Sequence, residues 1–268
     1  IYKKKFKERN TDFNTDEFIK LDKANRQLIN QKELLEQEKK LLSKSKDSSN
    51  FDKSKKISIQ IQEVLSKQMI MQKKLDLIIS NLPNLALEDV PIGKDDNENK
   101  LIKKVDKIKE FKFSIKSHIE LGNKNNNIDF DTSIKLSGSR FVVLRDTYAL
   151  LERALINFML DIHTQKFNYT EISPPLIVNE DIMYGTGQLP KFEEDQFEIK
   201  SENSKERKFL IPTAEVVLTN LVRKTNLDYD ELPLRFVAAT PCFRKEAGSY
   251  GKDTKGIIRQ HQFYKVEL

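Results

Sequence analysis

The first 82 residues of this chain contain neither glycine nor proline. None of its eight prolines precedes Pro83 and none of its eight glycines precedes Gly93. That stretch therefore has no residue that removes a backbone donor and none that relaxes the chain into a turn, and long uninterrupted helices are what it can form. Leu21, Leu28, Leu35 and Leu42 recur every seven residues between about Asn14 and Ser43, the seam of a supercoiled helix. A seam needs a partner. One follows from about Lys55 to Asn81, where Ile57, Ile61, Val64, Gln68, Met71, Leu75, Ile78 and Leu82 keep an alternating four-three spacing with a single polar member. Ser43 to Ser54, rich in Ser, Asp and Lys, reads as the turn between them. So short a connection predicts antiparallel helices, each roughly 40 to 45 Å long at ~1.5 Å per residue.

Charge divides near the same place. Through Leu82 there are 19 Lys and Arg against 12 Asp and Glu, whereas the remainder has 28 against 29, so the net +6 comes from the N-terminal part. A basic helical arm beside a near-neutral domain fits a polyanionic partner, with Lys44, Lys46, Lys53, Lys55 and Lys56 near the turn as its candidate contacts. The plainer alternative is a solvated charged helix surface. Asn81-Leu82-Pro83-Asn84 ends the second helix and the polar stretch Gly93 to Lys100 reads as a linker, which divides the chain into an arm with linker, 1–100, and a globular part, 101–268. A single cysteine, Cys242, excludes a disulfide framework and a cysteine-based zinc site, and points to a reducing compartment. No apolar run approaches the ~18 residues needed to span a bilayer, and the charged start has no signal-peptide core, so no membrane partner is expected.

Chemistry concentrates in the last 27 residues. Two apolar-flanked strands, Leu234 to Phe243 and Ile257 to Leu268, bracket a loop holding Gly248, Gly251 and Gly256. On them sit a guanidinium at Arg244 that can fork onto a phosphate or carboxylate, an acceptor for an exocyclic amine at Glu246, and an aromatic face at Phe263 on which a base can stack. Phe263 taken by itself reads as an ordinary core aromatic, and Arg244 as a surface ion-pair residue. The pattern Phe243-Arg244-Lys245-Glu246, a glycine-bearing loop, then His261-Gln262-Phe263 and Glu267 resembles motif 2 of the class II aminoacyl-tRNA synthetases, most closely those of the bacterial seryl type. Gly138-Ser139-Arg140-Phe141, Gly185-Thr186-Gly187-Gln188-Leu189-Pro190-Lys191-Phe192, Pro212-Thr213-Ala214-Glu215 and Glu246-Ala247-Gly248-Ser249-Tyr250-Gly251 fit the same family in the same order.

The resemblance implies an α+β fold: an antiparallel helical coiled-coil hairpin followed by part of a catalytic domain built on a mostly antiparallel sheet. It also implies an activity, in which ATP activates L-serine to seryl-adenylate and the seryl group passes to the 3′ end of tRNA(Ser), with tRNA(Sec) as a further candidate partner. Arg244 would be the catalytic group, with Arg244, Lys245, Glu246, Gln260 and Phe263 on ATP and Thr213, Ala214, Glu215, Arg244 and Glu267 on serine. Thr213-Ala214-Glu215 also reads as a helix start with Thr213 as N-cap, and the two readings are compatible. His261 reads as a structural hydrogen-bonding residue. Gly185-Thr186-Gly187 lacks the spacing and lysine of a phosphate loop and is read as shaping the serine pocket. Residues Asp146 to Gln165, with Tyr148, Leu151, Leu155, Phe158 and Ile162 on one face, then a strand near Tyr169 to Ser173 and Pro174-Pro175, are similar to the motif 1 homodimer element, with Pro175 as the family's proline.

The family completes its ATP site with a third motif carrying a second arginine, and its Mg²⁺ ligands follow motif 2. The chain is expected to be an N-terminal fragment ending before both, lacking strands that close the sheet and inactive alone, from a cytoplasmic enzyme. A noncatalytic paralogue or coiled-coil RNA-binding adaptor is the alternative, against which Arg244, Glu246, Thr213, Glu215 and Glu267 speak. A class II enzyme for another amino acid is a third, opposed by the serine-type loop and the lack of Cys and His ligands.

Overall fold

The stretch without glycine or proline folds as helices. In a computed structural model, which describes residues 2–44, 50–105, 108–124, 127–200, 206–247 and 256–268, α1 (Tyr2–Glu8) precedes two long helices, α2 (Thr15–Lys44) and α3 (Asn50–Asn81). Asn14 caps α2, its Oδ1 accepting the Glu17 amide at 3.2 Å, and Asp16 and Glu17 complement the positive end of the helix dipole. The helices run antiparallel as expected and bury Ile57, Val64 and Leu75. At ~1.5 Å per residue each spans about 45 Å.

One layer of the seam is polar. Asn25, 4% exposed, donates from Nδ2 to Gln72 Oε1 at 2.9 Å and accepts from Gln68 Nε2 at 3.3 Å. Gln72 in turn donates to Asp76 at 2.8 Å. Gln68, the polar member of the predicted spacing, thus meets a buried partner on α2, and such a layer fixes register because any slip would leave these groups unpaired among apolar side chains. Lys44, Lys53, Lys55 and Lys56 are exposed; Lys46 lies outside the described residues. The expected linker contains a 3₁₀ turn, Asp96–Glu98, capped by Asp95.

The chain divides into two units, Ile1–Lys107 and Ile108–Leu268. The second holds α4 (His118–Lys124), β1 (Ile128–Asp129), α5 (Phe130–Ser137), β2 (Val143–Leu144), α6 (Asp146–Lys166), β3 (Thr170–Glu171), β4 (Ile177–Asn179), α7 (Glu180–Gly185), β5 (Glu198–Ile199), β6 (Lys208–Leu210), α8 (Glu215–Asn220), β7 (Phe236–Phe243) and β8 (Gln262–Glu267). Among the described residues the strands form a β1-β2 pair and two three-stranded sheets, β3-β7-β8 and β4-β6-β5. All pairs are antiparallel except β3 with β7. No described helix is long and apolar enough to cross a membrane.

Val178, Met183, Leu189, Phe209, Ile211, Val216 and Val217 form the core beneath β4-β6-β5, and Ala214, Leu218 and Ala238 join α8 to β7. Each large side chain so buried contributes ~1.5 to 3 kcal/mol. Arg207 ties the rim: its guanidinium bonds Glu180 on α7, Glu193 in a 3₁₀ turn (Glu193–Asp195) and Glu198 on β5. Those hydrogen bonds lower the pKa of Glu198 and raise that of Arg207. In contrast, α6 buries none of its side chains; Leu151, Leu155 and Phe158 stay about half exposed.

Asp129 joins three elements. It caps α5, accepting the Thr132 amide at 2.9 Å, and pairs with Arg145, which precedes α6, at 2.9 Å. The Thr132 backbone bond first, then the Thr132 hydroxyl and Arg145, hold its pKa down to about 2 from 3.8. A depressed carboxylate stabilises the fold above its unfolded pKa, and that contribution disappears as pH falls through its folded value. Asp129→Asn should therefore lower the melting temperature at pH 6, and the gap from the parent should close as pH falls from about 4 to about 2. A gap independent of pH would contradict this.

Candidate active site

The β7–β8 hairpin is narrower than predicted. Its strands start at Phe236 and Gln262 rather than at Leu234 and Ile257; β8 starts late because Gln260 bonds back to the Ile257 carbonyl at 3.1 Å and the Ile257 amide donates to His118 Nε2 at 3.0 Å, closing a turn before the strand. Gly256 makes that approach possible: its φ is +99°, and a Cβ there would lie 2.4 Å from His118 Nε2. Pro241 is tolerated inside β7. It shares the parity of Phe243, whose amide points away from β8 to the Ile211 carbonyl at 2.9 Å, so no ladder bond to β8 is lost.

Alternation on β8 sends Phe263, Lys265 and Glu267 to one face. All three are half-buried. The Arg244 guanidinium carbon sits 5.6 Å from the centre of the Phe263 ring. Arg244 Nε donates to the Pro212 carbonyl at 3.2 Å, and among the described residues its terminal nitrogens make no further hydrogen bond or ion pair, so the fork of the guanidinium is held by its stem and presented by its tip. The base of the hairpin is closed by His261, whose Nδ1 lies 2.9 Å from the Arg244 carbonyl, while the Arg244 amide donates to the His261 carbonyl at 2.9 Å. His261 is structural, as its sequence context indicated.

Thr213 is buried in the run Ile211 to Ala214 between β6 and α8. The expectation that it caps α8 is corrected: the N-cap is Ala214, and the Thr213 hydroxyl instead donates to the Glu267 carboxylate. It also accepts from Lys265 Nζ at 3.0 Å, and Lys265 pairs with Glu267 at 2.8 Å. Burial left the hydroxyl without water, and the two charged residues on β8 offered stronger bonds than a helix amide. Thr213, Lys265 and Glu267 are thus one cluster. Glu215 stands apart, exposed at the start of α8 with no partner among the described residues.

Glu246 is half-buried and pairs with Arg259 at 2.8 Å; Lys245 is exposed, with Nζ 5.8 Å from the Phe197 ring centre. Gln260 and Phe263 border a hollow of about 580 Å³ with Phe141, Val143 and Ala149. Cys242 is fully buried and burial pushes its thiol up, so it offers no nucleophile. No group of three metal-ligating side chains comes together among the described residues. Gly248 and Gly251 lie outside them.

Lys265 carries no signal in the family pattern, although it lies two residues from Glu267, the spacing that places two strand residues on one face. Asp195, which accepts the amides of Lys245 and Ala247, is equally silent in the sequence, since those contacts are formed by tertiary packing that leaves no local mark.

A family model, the tRNA synthetase class II core domain (G, H, P, S and T), matches residues 197–268, the segment that contains this cluster. The serine-tRNA ligase of Pelagibacter ubique is 56% identical over 267 residues, all of this chain and 64% of that protein. That of Azorhizobium caulinodans is 44% identical, over 94% of this chain and 61% of its own length. The chain belongs to the seryl-tRNA synthetase family. It spans about three-fifths of the length of these curated seryl-tRNA synthetase relatives. Among solved structures it resembles seryl-tRNA synthetase from Pyrococcus horikoshii complexed with ATP, with a TM-score of 0.74 and 33% identity over 94% of this chain and 62% of that one. It also resembles the cytoplasmic serine-tRNA ligase of Naegleria fowleri in complex with AMP, with a TM-score of 0.76 and 25% identity over 98% of this chain and 61% of that one.

Proposed function

We propose that the protein to which this chain belongs is a serine-tRNA ligase: it joins L-serine to ATP as seryl-adenylate, releasing pyrophosphate, and then transfers the seryl group to the 3′-terminal ribose of tRNA(Ser), releasing AMP. The observation that carries this reading is the Thr213-Lys265-Glu267 cluster on the same sheet face as Arg244 and Phe263. The serine carboxylate is itself the nucleophile, so the site needs only groups that align it with the α-phosphate and offset developing charge. Arg244 supplies both, since a planar fork can hold a phosphate and a carboxylate together. Thr213 and Glu267 face the hydroxyl and ammonium of serine, with Ala214 as the buried floor and Glu215 as an outlying carboxylate. Phe263 stacks on adenine, Glu246 accepts from its exocyclic amine, and Lys245 and Gln260 flank the nucleotide.

Residues 1–100 serve as the tRNA-binding arm and linker and 101–268 as catalytic-domain sequence. The uncovered apolar side of α6 is the homodimer surface, tRNA(Sec) is a second substrate candidate, and the cytoplasm is the site of action. Mg²⁺ would neutralise phosphate charge when bound with ATP.

Serine-dependent ATP–pyrophosphate exchange by the full-length protein tests the activity; exchange that ignores serine would refute it. Phe263→Ala should weaken ATP binding by about 1 to 3 kcal/mol, the range for a base stacked on an aromatic ring. An unchanged ATP dissociation constant would return Phe263 to a packing role.

A further inference from the structure

Glu246 holds a backbone conformation that its side chain disfavours. Its φ is +52°, in the left-handed region where a Cβ crowds the following carbonyl. A non-glycine residue stays there only when its surroundings over-determine it. The surroundings are specific. The amide of Lys245 donates to the Asp195 carbonyl at 2.9 Å, and the amide of Ala247 donates to Asp195 Oδ1 at 2.8 Å. A single residue therefore grips the chain on both sides of Glu246, once with its backbone and once with its carboxylate. Arg140, buried and itself left-handed at φ +63°, adds a 3.5 Å bond from Nη1 to the Glu246 carbonyl. Asp195 ends the 3₁₀ turn that Arg207 anchors through Glu193, so its own position is fixed.

We propose that Asp195 is a positioning residue for the nucleotide half of the site: it sets the left-handed turn at Glu246 and so the direction in which that carboxylate meets the exocyclic amine of adenine. This rests on the reading of Glu246 as the adenine contact. It gives Asp195, which follows the Gly185-Thr186-Gly187 run read from sequence as shaping the serine pocket, a task on the other side of the site. None of the contacts of Asp195 reaches Thr213, Lys265 or Glu267, so serine binding should be indifferent to it.

Three substitutions in the full-length protein separate this from a merely structural role. Asp195→Asn keeps an oxygen for the Ala247 amide, Asp195→Ala removes it, and Asp195→Glu keeps the charge but displaces it. In steady-state exchange, the Ala and Glu variants should lose ~10- to 100-fold in kcat/KM for ATP, the scale expected when a change away from the chemistry misplaces the bound substrate by about 1 Å. Their preference for ATP over purine riboside triphosphate, which lacks the amine, should fall in step, while KM for serine stays within about twofold and the Asn variant stays within about threefold of the parent. Should the Ala variant fail to fold by circular dichroism, the contrast between Glu and Asn carries the test. Unchanged nucleotide preference in the Glu variant, a serine KM that rises with that for ATP, or an Asn variant as impaired as the others would overturn the proposal. A parent protein without serine-dependent exchange would overturn the ligase assignment and this inference with it.

Discussion

Replacing Arg244 with lysine in the full-length protein is expected to reduce serine-dependent pyrophosphate exchange by at least ~10²-fold, because removing a preorganised charge interaction from the transition state costs about 3 kcal/mol. Lysine keeps the charge and loses the fork. The stem of Arg244 is already fixed by the Pro212 carbonyl through Nε, an anchor that a lysine cannot reproduce while also reaching a phosphate. The loss should fall on kcat as well as KM, since the interaction matters most as charge develops. A variant with ordinary exchange would remove Arg244 from the chemistry and leave the hairpin as a binding platform.

Deleting residues 14–81 should separate the two half-reactions. Arg244, Phe263, Thr213, Lys265 and Glu267 all lie in the unit Ile108–Leu268, whereas the helical hairpin belongs to the unit Ile1–Lys107. Exchange should therefore survive while aminoacylation of tRNA(Ser) is abolished. A gentler version replaces Lys44, Lys53, Lys55 and Lys56 with glutamine. That should lower tRNA affinity and flatten its salt dependence by roughly 0.7 to 0.9 log units of slope for each phosphate that a lysine no longer neutralises. Loss of both half-reactions in a deletion shown to be folded and dimeric would refute the arm as a dedicated tRNA element.

What the sequence disclosed follows from how local each signal is. The helical hairpin was legible because heptad spacing and the absence of breakers act within a few turns, and both long helices formed within a few residues of their expected bounds. The hairpin of β7 and β8 was legible as a motif, but the start of β8 was not, since it depends on His118 and on a turn bond made by Gln260. The placement of Arg244 and Phe263 on one face needed only strand alternation together with the pairing of β7 and β8. The correction at Thr213 came from a partner 54 residues away. Asp195 is harder still, because half of its grip on the Glu246 turn is a backbone carbonyl, which any residue type could supply.

The buried layer of Asn25, Gln68 and Gln72 makes the arm behave as a ruler with one fixed mark. Its amides are satisfied together only when α2 and α3 keep one register, so a length change in one helix between the layer and the turn has to be matched in the other. Seven residues added to both helices on the turn side of it would leave the mark in place and extend the reach by ~10 Å. Length changes on the turn side of the layer are thus constrained to arrive in matched pairs of heptads, and the reach of the arm is quantised by the same layer that keeps the helices from sliding.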